Sequence, residues 1–168
     1  MNILHDGFDC VIRTGALPED GVIARPLGKL TMVNCASPHY LTRFGYPQSP
    51  DDLTSHAIVR YTPHLGVHPL GFEVASVNGV QWFKSGSMLT VNSSENYLAA
   101  GLAGLGIIQI PRIAVREALR AGRLIEVLPG YRAEPLSLSL VYPQRRELSR
   151  RVNLFMQWLA GVMKEYLD

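Results

Sequence analysis

The chain has 168 residues, 47% of them apolar, and a formal net charge of +2. That length and composition suit one compact domain or two small lobes with a real core, and exclude a disordered tract. A charge so near neutral does not support extended nucleic-acid binding by this segment alone, and no apolar run is long enough to span a bilayer.

Phe8 to Ile12 reads as a short strand. Val22 to Cys35 is mostly extended, with Pro26 and Gly28 interrupting it. Ala36 to Phe44 carries helix signals, because Ser37 can cap and Pro38 suits the first helical position. Pro47 to Leu53 is a turn rich in proline and aspartate that leads into a second short helical turn. Ala57 to Tyr61 is a strand, and Thr62 to Gly71, with its prolines and glycines, is expected as a surface loop. Phe72 to Ala75, Val80 to Lys84 and Met88 to Val91 are short strands.

The stretch from Asn92 to Pro111 is the most informative. Ser93 and Ser94 are good N-cap residues, and Glu95 and Asn96 suit a first helical turn. Tyr97, Leu98, Ala100, Gly101 and Leu102 offer small and apolar surface. Gly104 and Gly106 are expected to end the helix. Ile107, Ile108 and Ile110 predict a strand covered on both faces. Arg112 to Ala121 reads as a helix stopped by Gly122, and Leu124 to Leu128 as a strand. Leu136 to Tyr142 alternates until Pro143. The last helix is expected from about Leu148 to Leu167, with Val152, Phe155, Met156, Leu159, Val162, Met163 and Tyr166 at helical spacing.

Several residues have both a site reading and a plainer one. Ser93 and Ser94 head a helix, whose amides and dipole make a natural anion site; simple capping is the alternative. Arg13 and Thr14 follow a strand and precede Gly15. An arginine there can grip a carboxylate through two parallel hydrogen bonds, or form an ion pair within its own lobe. Asn34, at a predicted crossover, either binds ligand or hydrogen-bonds hinge backbone. Gln109 is a lone polar residue in an apolar strand, and its amide needs partners in backbone or ligand. The Gly101–Gly106 run has the wrong order for a dinucleotide loop, since its glycines follow the helix and precede the strand. His64 and His68 have metal-like spacing, but Pro63, Gly66 and Pro69 argue against a helix there. Cys10 and Cys35 fit reduced side chains in strands, and two cysteines alone make no metal site. No nucleophile elbow or acid–base set is present, so catalytic residues, metals and cofactors are not expected.

The ordered series of motifs resembles the effector-binding domain of LysR-type transcriptional regulators. It runs through FDCVIRTG (Phe8–Gly15), ARPLGKLTMVNCASPHYLTRFGYPQSPDDLTSHAIVRY (Ala24–Tyr61), NSSENYLAAGLAGLGIIQIP (Asn92–Pro111), GRLIEVLPGY (Gly122–Tyr131) and LSLSLVYPQRRELSRRVNLFMQWL (Leu136–Leu159). The middle, from Thr62 to Gln81, is less alike. The resemblance implies an α/β, bilobal, periplasmic-binding-protein-like (type II) fold with two crossovers. Residues 36–135 would form the continuous lobe, and residues 1–35 with 136–168 part of the other. Family members open with a winged helix-turn-helix, a linker helix and a first strand–helix–strand, none of which matches here. The first lobe is therefore expected to be incomplete.

The function implied is sensing of a small, anionic metabolite by Arg13, Thr14, Asn34, Ser93, Ser94 and Gln109 between two lobes, with no bond made or broken. Promoter DNA would be bound only through the missing domain. The resemblance further implies a cytoplasmic homodimer or higher homo-oligomer with no membrane partner. The closing helix, with Met156, Leu159 and Met163, is the candidate contact. The alternatives are a stand-alone solute-binding protein of the same fold, against which the lack of a leader speaks, and an enzyme on a related bilobal fold.

Overall fold

A computed structural model describes residues 7–15, 21–62, 71–144 and 148–167. The strands are β1 (Val11–Thr14), β2 (Val22–Leu30), β3 (Met32–Ala36), β4 (Ala57–Tyr61), β5 (Phe72–Ser76), β6 (Gly79–Phe83), β7 (Gly86–Val91), β8 (Ile108–Pro111), β9 (Ile125–Glu126) and β10 (Leu136–Pro143). The α-helices are α1 (Pro38–Phe44), α2 (Ser94–Leu102), α3 (Arg112–Arg120) and α4 (Arg150–Met163), and a 3-10 helix spans Pro50–Ser55. The chain divides into two compact units: Met1–Thr31 with Pro135–Asp168, and Met32–Glu134.

In the first unit β10 lies between β1 and β2, antiparallel to both. Leu138, Leu140 and Val141 are buried, as the central position of their strand requires. The first strand falls at Val11–Thr14, later than the Phe8–Ile12 expected, because pairing with β10 runs as far as Thr14 opposite Leu138. Phe8 is exposed. Pro26 and Gly28 do not interrupt β2. Leu138 pairs with Gly28 and Ser139 with Pro26, so Leu27 is the extra residue of a bulge that lets proline and glycine sit in a paired strand.

The final helix is capped by Ser149, whose hydroxyl accepts from the Val152 amide at 3.4 Å. It is shorter than Leu148–Leu167 and buries Met156, while Val152, Leu159 and Met163 are half-buried. Leu154, Phe155, Trp158 and Val162 are exposed, so the apolar stripe reaching solvent differs from the one the spacing suggested.

In the second unit β3 lies between β8 and β9, antiparallel to each, and β4 pairs with β7 in parallel. These sheets meet at Ile107. Its amide donates to Ala57 O at 2.9 Å, and the Val59 amide donates to Ile107 O at 3.0 Å. The backbones approach so closely that a Cβ on Gly106 would lie 2.7 Å from Ala57 O. Gly106 thus serves this crossing, while Gly104, with φ 77°, turns the chain out of α2.

Alternation along the strands feeds a core on each side of this sheet. Val33, Cys35, Val59, Ile108 and Ile110 pack with Tyr97 and Ala100 of α2 and Val115 and Ala118 of α3. Ala36, Ile58 and Ile107 pack with Tyr40, Leu41, Leu53, Phe72, Val74, Val127 and Leu128 on the other side. Coverage on both faces is what the isoleucine run predicted. Each fully buried side chain of this size contributes about 1.5–3 kcal/mol.

The strand expected over Leu124–Leu128 pairs only at Ile125–Glu126, opposite Ala36 and Cys35. Leu128, at φ 48°, turns the chain there, and the Tyr131 amide closes the turn on Leu128 O at 2.9 Å. The loop expected over Thr62–Gly71 lies largely outside the described residues, at positions 63–70.

Candidate functional site

The start of α2 is held by its own side chains. Ser93, in extended backbone, accepts from the Asn96 amide at 3.4 Å, so it caps the helix. The same hydroxyl donates to Glu95 Oε2 at 2.6 Å. This bond first, then the Glu95 amide and the Ser94 hydroxyl, hold the Glu95 carboxyl below the usual carboxylate value. The Ser93 hydroxyl at the helix start is thus engaged by a carboxylate of the chain itself.

One turn on, Tyr97 links α2 to β8. Its phenol accepts from the Gln109 amide at 2.8 Å and donates to Gln109 O at 3.3 Å, so the ring bridges helix and strand. Burial pushes the Tyr97 phenol up to about 12. It is a neutral clasp at any physiological pH. The sequence suggested only apolar surface at Tyr97. Its pairing with a strand twelve residues on is not legible in any local spacing.

Gln109 and Asn34 are brought into direct contact. Gln109 Nε2 donates to Asn34 Oδ1 at 2.9 Å and to Glu73 O at 2.7 Å, while Gln109 Oε1 accepts from the Glu73 amide at 3.2 Å. The side chain thus imitates a strand edge and pins the β5–β6 hairpin. The Ala75 amide adds a second pin on Arg132 O at 2.8 Å. Asn34, fully buried, donates to Leu128 O at 3.2 Å and Tyr131 O at 2.9 Å. Both amide donors of each residue are thereby spent on protein groups. Gln109 thus bonds the Glu73 backbone and the Asn34 side chain, and Asn34 bonds backbone carbonyls 94 and 97 positions away. Together they tie β3, β8, the hairpin and the Leu128–Tyr131 turn at one point.

Arg13 and Thr14 lie on β1 of the first unit, opposite Ser139 and Leu138. Arg13 is half-buried and Thr14 exposed. Among the described residues Arg13 makes no ion pair, so the lobe-internal pair is not found there.

Other chemistry-bearing groups are accounted for inside the fold. Cys35 is fully buried, and its thiol is pushed up to about 12 by burial first and by Glu126 second, which makes it inert. Both cysteines are free. Glu126 accepts from Arg132 Nε at 2.9 Å and lies 3.6 Å from Arg112 Nη1. His56 is buried, with Nδ1 3.0 Å from the Tyr40 hydroxyl; burial lowers its pKa and Asp52 opposes that shift. His64 and His68 lie outside the described residues. Among the described residues no cluster of three or more His, Cys, Asp or Glu is placed to hold a metal, and no helix is long and apolar enough to cross a membrane.

Comparison with known proteins gives a consistent result. The family model described as the LysR substrate binding domain matches residues 1–164. The chain is 98% identical over 168 residues to an uncharacterized HTH-type transcriptional regulator, YhjC, of Escherichia coli K12, covering all of this chain and 56% of that relative. It is 34% identical over 166 residues to an HTH-type transcriptional repressor of Pseudomonas aeruginosa, covering 98% of this chain and 52% of the relative. The chain thus spans about half the length of these curated relatives. Among solved structures, the regulatory domain of CrgA, a LysR-type transcriptional regulator from Neisseria meningitidis, superposes with a TM-score of 0.83 at 25% identity, covering 96% of this chain and 78% of that one. The fold is the type II periplasmic-binding-protein-like α/β fold of these regulatory domains. On this match along nearly its full length, the chain belongs to the LysR substrate-binding domain family.

Proposed function

We propose that this chain senses a small organic anion at the start of α2 and passes the binding event into the network behind it. The observation that carries this reading is the Ser93–Glu95 bond at 2.6 Å. A hydroxyl at a helix start that already holds one carboxylate has the charge and geometry to hold another. An incoming carboxylate displaces Glu95 from Ser93 and recruits Ser94. The displacement bears on the first turn of α2, and Tyr97 carries it to Gln109, Asn34 and the hairpin. The ligand shifts the equilibrium only by its differential affinity for the two arrangements.

Arg13 and Thr14 enter the proposal from the family resemblance. The same resemblance supports reading residues 36–135 as the continuous lobe and residues 1–35 with 136–168 as the other. The curated relatives are named as transcriptional regulators, so the chemistry is reversible recognition without catalysis, in the cytoplasm, with sequence-specific promoter recognition outside the matched residues. Self-association through the exposed Leu154, Phe155, Trp158 and Val162 of α4 completes the proposal. Light scattering that returns a monomer mass at micromolar concentration refutes it.

The site is tested by screening aliphatic, aromatic and amino-acid carboxylates for thermal stabilisation, then measuring hits by calorimetry. Ser93→Ala should weaken a hit roughly ten- to a hundredfold, the loss of one hydrogen bond to a charged group. Glu95→Ala should strengthen it by removing the competing carboxylate. Thr14→Val and Arg13→Gln should weaken it, and Thr54→Ala, on the 3-10 helix, should leave it unchanged. Equal affinities throughout refute the site.

A further inference from the structure

We propose that Arg60 and Ser85, in the second unit, form a site for a small inorganic monoanion of halide size. This goes beyond effector sensing at α2 and does not depend on it. Arg60 lies on β4, and Ser85 immediately precedes β7, the strand that pairs with β4 in parallel. Both residues are half-buried. Arg60 Nη2 donates to Ser85 O at 3.2 Å, which fixes the guanidinium against the chain entering β7. Arg60 Nε and Ser85 Oγ are shut off from solvent, and among the described residues neither has a hydrogen-bond partner. Nε and Nη2 share one edge of the planar guanidinium, so the unpaired Nε–H faces the side on which Ser85 is bound.

Two buried polar groups without partners, on residues already bonded to each other, point to a common partner. Its charge follows from the arginine. A guanidinium does not shed its proton, so the buried edge keeps its positive charge. Among the described residues no carboxylate forms an ion pair with Arg60. The segments that build the site hold none: residues 57–62 and 77–91 contain no Asp or Glu, and their only formal charges are the cations Arg60 and Lys84. The 3-10 helix packs against β4, β6 and β7, but its Asp52 is spent on the Gln48 and Ser49 amides at 2.8 and 3.0 Å, and Asp51 is exposed. Glu73, on β5, accepts from the Glu134 amide at 3.0 Å.

The occupant's size follows from burial. Nε–H and the Ser85 hydroxyl can both donate to one acceptor, and both atoms are enclosed, which excludes the larger organic acids expected at Ser93. A halide accepts from any direction, so it suits two donors that converge from different residues. A water would satisfy both groups but leave the cation uncompensated. Bound there, the anion ties β4 to the segment that carries the β5–β6 hairpin into β7.

The experiment follows thermal unfolding of the 168-residue chain by circular dichroism while potassium chloride or bromide replaces potassium gluconate at constant ionic strength, so that screening is held fixed. The general effect of salt type on stability is common to all variants, so the site is read as the difference from Arg60→Gln. Chloride and bromide should raise the wild-type midpoint along a saturating curve, as a ligand of the native state does, and Arg60→Gln should lose that curve. Ser85→Ala should raise the apparent dissociation constant roughly tenfold or more, for one lost bond to a charged group. Arg43→Gln, which removes an exposed cation from α1, should respond as wild type does. Should Arg60→Gln not fold, Ser85→Ala serves as the reference. Anomalous diffraction from bromide-soaked wild-type crystals should then show bromide bonded to Arg60 Nε and Ser85 Oγ. Equal halide responses in wild type, Arg60→Gln and Ser85→Ala, or a water in place of bromide, overturn the proposal.

Discussion

Asn34→Ala is the sharpest test of the network behind α2. The side chain is fully buried and makes bonds of 2.9 Å from Gln109 Nε2, 3.2 Å to Leu128 O and 2.9 Å to Tyr131 O. Each bond contributes about 1 kcal/mol net, and a buried group left without a partner costs about 1–3 kcal/mol. Tyr131 is exposed, so its carbonyl can recover water; Leu128 O and the Gln109 amide lie deeper. The expected loss is roughly 3 kcal/mol. With a urea slope of about 2 kcal/mol per molar, the midpoint falls by about 1.5 M. The chain has two tryptophans, Trp82 in the second unit and Trp158 in the first, so a Trp158→Phe background makes fluorescence report the hairpin of the unit under test. A double-mutant cycle with Gln109→Ala should give a coupling of about 1 kcal/mol. A midpoint shift under about 0.5 M, or zero coupling, would refute the reasoning.

His56 gives a pH signature. Burial holds its folded pKa below the ordinary 6.5, so its contribution to stability is complete above that value and is lost as pH falls from it toward the folded pKa. Tyr40 and Asp52 are the titratable groups beside it, and the drop in urea midpoint from pH 7.5 to 5.5 should shrink in His56→Gln. Gly106→Ala places a Cβ 2.7 Å from Ala57 O and should cost at least about 2 kcal/mol by the same urea assay. Cys35, with its thiol at about 12, should resist a thiol reagent until the chain unfolds; rapid labelling of the native protein at Cys35, read by mass spectrometry, contradicts the burial described.

What the sequence determined by itself was local or periodic. Ser37 and Ser93 sit at helix starts because capping needs only a hydroxyl and the next few amides. Ile107, Ile108 and Ile110 announced a strand covered on both faces because β-branched runs have few other stable solutions. The ordered motifs pointed to the family, which the match over residues 1–164 shows. Tertiary structure decided what depends on partners far along the chain. The bulge at Leu27 exists because β10 pairs across it, and β9 is short because Leu128 turns away into the bonds that Asn34 holds. Asn34 and Gln109 were visible as polar residues in apolar strands, but their mutual bond spans 75 positions. Composition could not show that Glu95 occupies Ser93, nor that Arg60 keeps a buried Nε–H without a partner among the described residues. Both follow from where the folded backbone aims side chains, which a residue count does not contain.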